Sequence, residues 1–290
     1  MTQSASSRLI IALTMALFGT MAPFVRNIPV SSGELALYRA VLAALVIGIF
    51  FLFRKPSFAC AKRELPLLVL SGFALGINWM LLFEAYRYTT VSVATLSYYF
   101  APVIVTVVCP ILFREKLTPK QIVCFVMSTV GLSLVIGITD LGSGGQDAIG
   151  ILFGLGAAVF YATVVLINKF ITTVAGIERT FLQFLAAIVI MIPYVACTGG
   201  VTLSGMDTVG WLCLAVVGIL HTGINYCLYF SALWHVPGQA AAILSYVDPL
   251  VAVVVSVVVL KEALTLPQLI GGLLILGFTL LNEIQIGRKS

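Results

Sequence analysis

The sequence predicts an all-α integral membrane protein of ten transmembrane helices, built as two inverted five-helix repeats. Three observations carry this expectation: an extreme apolar composition, ten apolar runs separated by short polar connections, and self-similarity at one fixed offset. Of the 290 residues 61% are hydrophobic and 9% are charged, with a mean hydropathy of +1.13, whereas a soluble domain carries roughly 25% charged residues. A water-soluble fold is excluded, and little chain is left for a soluble domain.

A helix needs about 20 mostly apolar residues to cross the hydrocarbon core. Runs of that kind extend over Leu9 to Phe24, Leu35 to Phe53, Leu65 to Tyr86, Val91 to Phe113 and Ile122 to Ile138. Five more follow a polar break at Thr139 to Gln146: Ile149 to Phe170, Thr180 to Cys197, Val209 to Leu233, Ala240 to Leu260 and Leu269 to Ile286. Arg8 followed by an apolar run with small residues near Ala22 resembles a secretory leader. With so many spans behind it, the run is read as an uncleaved first helix.

The formal charge of +5 does not form a stripe suited to nucleic acid, because Lys and Arg sit mostly in the connections. With a cytoplasmic N-terminus, the inside segments hold 12 of the 16 basic residues, and the outside connections hold only Arg26, Arg87 and Lys261. The positive-inside bias therefore places both termini in the cytoplasm of a multi-pass protein of the cell inner (plasma) membrane. Cys60, Cys109, Cys124, Cys197, Cys213 and Cys227 show no CxxC or Cys/His spacing and read as small apolar-run residues. No metal and no cofactor is expected.

Shifted by 147 residues, the sequence matches itself. Gly76-Ile77-Asn78 falls on Gly223-Ile224-Asn225, Phe83 on Phe230, Ala85 on Ala232, Tyr99 on Tyr246 and Pro102 on Pro249. Glu115, Leu117, Thr118 and Gln121 fall on Glu262, Leu264, Thr265 and Gln268. Residues 1–140 and 146–290 are thus two copies of one unit. Each copy has an odd number of spans, so the second enters the membrane from the opposite side. Inverted repeats of this kind build many secondary transporters, with the substrate site near the bilayer midplane.

These residues resemble the EamA branch of the drug/metabolite transporter superfamily over nearly the whole chain. The resemblance rests on Leu37-Tyr38-Arg39, on Ala85 with Thr89 and Thr90, and on Pro102 through Arg114-Glu115-Lys116-Leu117-Thr118 to Gly131. Pro249 through Lys261-Glu262-Ala263-Leu264-Thr265 to Gly271 looks like the second copy, and Phe18-Gly19 stands where members usually carry Trp-Gly. The resemblance implies a cavity lined by the first, third and fourth helix of each repeat, alternating access, and export of amino acids or related metabolites. It also implies that Glu115 and Glu262 are turn determinants.

Ionisable groups are costly in hydrocarbon, by at least about 2.5 to 3.5 kcal/mol, which singles out Asp248. It falls near the middle of the ninth span, and Pro249 after it disfavours helix at Asp248 and opens backbone to a cavity. Its repeat counterpart is Ala101, so the carboxylate is specific to one half. Asp248 is expected to hold a substrate amine or a coupling proton; the structural alternative is a partner for Arg39 or a Tyr hydroxyl. His221, Asn225 and Tyr229 form one polar stripe on the eighth span, with His221 a candidate for a proton relay with Asp248. Asn78 and Asn225 suit either substrate contact or hydrogen bonding between helices. Trp79, Tyr98, Tyr99, Ser245 and Tyr246 complete the expected substrate site, an aromatic lining able to stack on a ligand or hold a cation. Arg39 is read as a structural tie outside the cavity, and Glu34 and Glu84 as solvated carboxylates. Gly72, Gly76, Gly150 and Gly154 provide small-xxx-small spacing.

The leading functional expectation is a secondary transporter exporting amino acids or similar small metabolites. The alternative is an exporter of organic or quaternary ammonium cations, using Asp248 and an aromatic cage. A membrane-embedded enzyme would need a nucleophile with its base or clustered metal ligands; the sequence has no HExxH and no GxSxG, and it lacks the GxxxxGK[ST] loop of ATP hydrolysis.

Overall fold

The computed structural model describes residues 3–54, 56, 58, 62–113, 118–136, 145–174, 176–198, 202–233, 235–236, 241 and 244–283. The Arg114 to Leu117 turn with Glu115, most of the central break and the C-terminal basic residues lie outside this set. Among the described residues the secondary structure is helical, with no strand. Helices α1 (Gln3–Gly19), α2 (Met21–Arg26), α3 (Ser32–Phe53), α4 (Leu65–Tyr88), α5 (Val91–Tyr98), α6 (Ala101–Phe113) and α7 (Pro119–Ile136) come first. They are followed by α8 (Gln146–Asn168), α9 (Gly176–Cys197), α10 (Thr208–Ala215), a π-helical segment (Val216–Ile224), α11 (Asn225–Leu233), α12 (Val247–Val258) and α13 (Leu266–Glu283). Among the described residues, seven stretches of at least 18 residues are long and apolar enough to cross a membrane, and three shorter apolar helices accompany them.

Local chemistry fixes the helix starts. Ser31 and Glu34 form a reciprocal capping box on α3, while Thr90 and Asp207 cap α5 and α10. The repeated Thr-x-x-Gln motif does the same on α7 and α13. The Thr118 N–H donates to Gln121 Oε1 at 2.8 Å and the Gln121 N–H to Thr118 Oγ1 at 3.2 Å. Thr265 and Gln268 repeat the exchange at 3.0 and 3.4 Å.

Three interruptions share one cause. Thr20 separates α1 from α2, Tyr99 begins the gap between α5 and α6, and Tyr246 is the turn before α12. Each lies three residues before a proline: Pro23, Pro102 and Pro249. A proline ring collides with the carbonyl four residues back and offers that carbonyl no N–H, so the helix ends there and restarts. The π-helical segment loosens the eighth span differently. Its i→i+5 turns are wider, and two side chains reach back to carbonyls five residues earlier: Thr222 Oγ1 donates to the Val217 carbonyl at 2.7 Å, and His221 Nδ1 lies 3.3 Å from the Val216 carbonyl.

In α3, size rather than polarity separates the faces. Ala36, Ala40, Ala43 and Ile47 are fully buried, whereas Leu52 is 81% exposed. Small residues bring helices together and large apolar ones face outward, as expected where the surroundings are lipid. Helix α4 lies along α8 and α9; α3 along α9 and the π-helical segment; α1 along α11 and α12; α8 along α5 and α6; and α7 along α13. The glycine pairs serve contacts within the chain. A Cβ on Gly72 would stand 2.6 Å from Ala186 Cβ, and one on Gly154 3.0 Å from Ser97 Cβ.

Candidate functional site

A cavity of about 310 Å3 lies where the three proline interruptions meet. Tyr98, Tyr99 and Pro102 line it from α5 and α6, Phe18 and Gly19 from α1, and Ser245, Tyr246 and Asp248 from the ninth span. Gly19 allows this convergence, since a Cβ there would sit 2.5 Å from the Asp248 carbonyl oxygen. The Tyr99 hydroxyl donates to Asp248 Oδ2 at 2.5 Å, joining the fourth span to the ninth. A carboxylate held this way keeps acceptor capacity for a ligand.

Seven of the expected site residues line this cavity: Asp248, Tyr98, Tyr99, Trp79, Tyr229, Ser245 and Tyr246. Three do not. The Asn78 amide donates to the Ala157 carbonyl at 2.7 Å, and the Asn225 amide to the Thr14 carbonyl at 2.9 Å. Asn78 thus ties the third span to the sixth, and Asn225 the eighth to the first. His221 is 1% exposed, with Nε2 3.0 Å from Thr20 Oγ1. It is held against the interruption in the first span and not against Asp248.

Arg39 corrects the expectation of a tie outside the cavity. It lines the cavity while only 3% exposed, with its guanidinium 4.2 Å from the Trp79 ring centroid and 5.6 Å from that of Phe83. Sequence reasoning also passed over Tyr86 and Tyr161, which complete the aromatic wall beside Tyr226. Tyr161 stands 5.5 Å from Tyr98 between ring centroids. Nothing in its local sequence marks it apart from a hydroxyl within an apolar run.

A second cavity, of about 1070 Å3, shares Tyr86 with the first and is lined by Arg26, Glu34, Arg87 and Glu262. Here Arg26 Nη1 pairs with Glu262 Oε1 at 2.5 Å, and Arg26 Nη2 donates to the Thr89 carbonyl at 3.1 Å. Glu262 Oε2 accepts from the Val91 N–H at 2.9 Å and from the Ser256 hydroxyl. One ion pair therefore clamps α2, the α4–α5 junction and the end of α12. Glu34 departs from its expected solvation: it is 2% exposed, and its Oε1 accepts from the Thr202 N–H at 2.7 Å. Glu84, half-buried, accepts from the Ser32 hydroxyl and lies 3.6 Å from Arg87 Nη1.

At the opposite ends of these spans, Glu64 accepts from the Thr173 hydroxyl at 2.6 Å, the Thr172 hydroxyl at 3.0 Å and both backbone N–H groups. Those bonds, the Thr173 hydroxyl first, hold its carboxyl down at about 2. Among the described residues no three His, Cys, Asp or Glu side chains gather as a metal site.

Apolar helices interrupted around a cavity that pairs charged groups with aromatic rings define a multi-pass membrane transporter for a small-molecule substrate. The chain belongs to the EamA-like transporter family, whose profile matches residues 6–137 and again residues 148–283. "Uncharacterized transporter YxxF" of Bacillus subtilis is 30% identical over 259 residues, covering 88% of this chain and 82% of that protein. An "Uncharacterized transporter" of Archaeoglobus fulgidus is 28% identical over 278 residues, or 93% and 94% of the two chains. "Solute carrier family 35 member G1" of Homo sapiens is 26% identical over 170 residues, or 54% and 46%. A protein of known crystal structure superposes with a TM-score of 0.65 at 19% identity, covering 95% of this chain and 96% of that one; it shares the fold.

Proposed function

We propose that the protein is a secondary transporter of the plasma membrane that exports amino acids or related small metabolites by alternating access through the cavity at Asp248. The observation that carries this reading is the Asp248 carboxylate itself, inside the cavity and hydrogen-bonded across it by Tyr99. A midspan carboxylate facing a cavity suits a substrate ammonium group or a coupling proton.

In this reading ten spans form inverted repeats over 1–140 and 146–290, with both termini cytoplasmic. The packing supports the symmetry, because advancing each span by five returns the same contacts. The first span lies on the eighth and ninth as the sixth lies on the third and fourth, and the second lies on the eighth as the seventh lies on the third. The interruptions at Tyr99 and Tyr246 occupy equivalent positions, and the family profile matches twice. The Arg26–Glu262 clamp then lies at the outer face. Export is the direction implied by the family resemblance.

The runner-up is an exporter of organic or quaternary ammonium cations, favoured by the ring cluster of Tyr98, Tyr99 and Tyr161 in the cavity that holds Asp248. A proteoliposome flux screen separates the two. Labelled neutral, aromatic and cationic amino acids and a quaternary ammonium are presented with and without a pH gradient, to wild type and Asp248→Asn. Amino-acid flux lost in the variant is expected, and uphill flux driven by the gradient would add proton coupling. Flux of the quaternary ammonium alone would install the runner-up, while undiminished flux in Asp248→Asn would remove that carboxylate from the site.

A further inference from the structure

The central cavity is lined by a cation that has no ion-pair partner among the described residues. Arg39 lies eight residues into α3 and is 3% exposed. An arginine offers five N–H donors in a planar fork, and here the Nε donor goes to Thr222 Oγ1 at 2.8 Å. No acceptor among the described residues meets the four donors on the terminal nitrogens, and the two ion pairs among those residues involve other side chains. A buried guanidinium serving only to tie helices would spend its fork on carbonyls or a carboxylate, because isolated charge in an apolar interior is costly. Instead its contacts set its plane and leave its end open to the cavity.

Thr222 supplies the first contact. Its own proton goes to the Val217 carbonyl within the π-helical segment, leaving a lone pair for Arg39 Nε. Trp79 supplies the second, stacked at 4.2 Å on the guanidinium. With Nε pinned and one face covered, the terminal nitrogens form a pre-set fork, the geometry that takes a carboxylate through two parallel hydrogen bonds. Asp248 lines the same cavity, so the site has one positive and one negative pole with aromatic rings around them.

We infer that Arg39 is the anion-binding pole of the central cavity and that the transported molecule carries a carboxylate there. This inference rests on the reading of that cavity as the substrate site. It deepens that reading by requiring an acidic group on the substrate, which a simple organic cation lacks.

Isothermal titration of the purified protein tests it with two matched sets of probes: L-phenylalanine, phenethylamine and 3-phenylpropionate, then L-leucine, isoamylamine and 4-methylpentanoate. Wild type is expected to bind each amino acid more tightly than the amine that lacks only its carboxylate, by about 10- to 100-fold, the range of one charge-assisted hydrogen-bonded contact. Arg39→Gln removes that preference by weakening the carboxylate-bearing probes far more than the amines, and Arg39→Lys restores part of it. Equal loss of acids and amines in Arg39→Gln would make Arg39 a structural tie and overturn the inference. Equal or tighter binding of the amine than of its parent amino acid in wild type would overturn it too, while leaving the Asp248 reading standing. Failure of all six probes would overturn both. The wild-type comparison decides the question even if Arg39→Gln does not fold.

Discussion

Breaking the Arg26–Glu262 pair is expected to open the clamped end of the protein. The pair closes at 2.5 Å with Glu262 9% and Arg26 33% exposed at the side chain, so it lies between a buried and a surface bridge. Removing one partner of a buried pair costs about 3 to 5 kcal/mol, and exposed pairs contribute about 0 to 1. Discounting for the exposure of Arg26 leaves about 1 to 3 kcal/mol, or roughly a 5- to 150-fold shift toward the unclamped state. Glu262→Gln keeps an acceptor for the Val91 N–H and the Ser256 hydroxyl while removing the charge, and Arg26→Gln removes the other member. The assay is the labelling rate of Thr95→Cys, a cavity-lining position on α5, by a membrane-impermeant thiol reagent in a background without the native cysteines. Both substitutions should accelerate labelling from the side that carries the clamp. Unchanged rates in both would refute the expectation that the pair holds this end of the protein closed.

Tyr99→Phe removes the hydrogen bond to Asp248 but keeps the ring, and should lower amino-acid flux by roughly 10-fold or more without unfolding the protein; thermal melting beside the flux assay checks this. Gly19→Val should destabilise by about 1 to 3 kcal/mol, because even its Cβ would fall 2.5 Å from the Asp248 carbonyl oxygen; a wild-type melting temperature would contradict that packing. Glu64, held at about 2, contributes stability that is fully present above its unfolded value near 4.5 and is lost as pH falls through about 2. Wild type should therefore lose melting temperature across that window and Glu64→Gln less so; parallel losses would remove Glu64 as the cause.

Much of the fold was legible because it rests on local chemistry. Apolar runs report helices that need no water, and Pro249 announced an interruption, though the break falls at Tyr246 and Asp248 itself lies in the first turn of α12. Asp248 was legible for the same reason, being a charge with no local explanation. Arg39 carried the same signal, but its place on the second span, outside the expected lining, hid the fact that its side chain reaches under Trp79 into the cavity. The stripe of His221, Asn225 and Tyr229 failed for a geometric reason. Spacing of four puts them on one face of an α-helix, but His221 lies in the π-helical segment, where the turns are wider and the faces drift. Of the three, Tyr229 alone reaches the cavity. Glu34 was misread because distance from the end of a span says nothing about the connection above it, and Thr202 arrives there from the far side of α9. Tyr161 stands opposite Thr14 in the repeat, so even the internal symmetry gave no aromatic to match.

Isotopic counterflow in proteoliposomes tests the central claim most directly. Vesicles preloaded with an unlabelled amino acid and diluted into its labelled form, with no ATP and no ion gradient, should accumulate label transiently above equilibrium, since one site alternates between the two faces. Asp248→Asn should abolish the overshoot while remaining folded. An overshoot of wild-type size in that variant, or simple equilibration without overshoot in the wild type, would contradict alternating access through the Asp248 cavity.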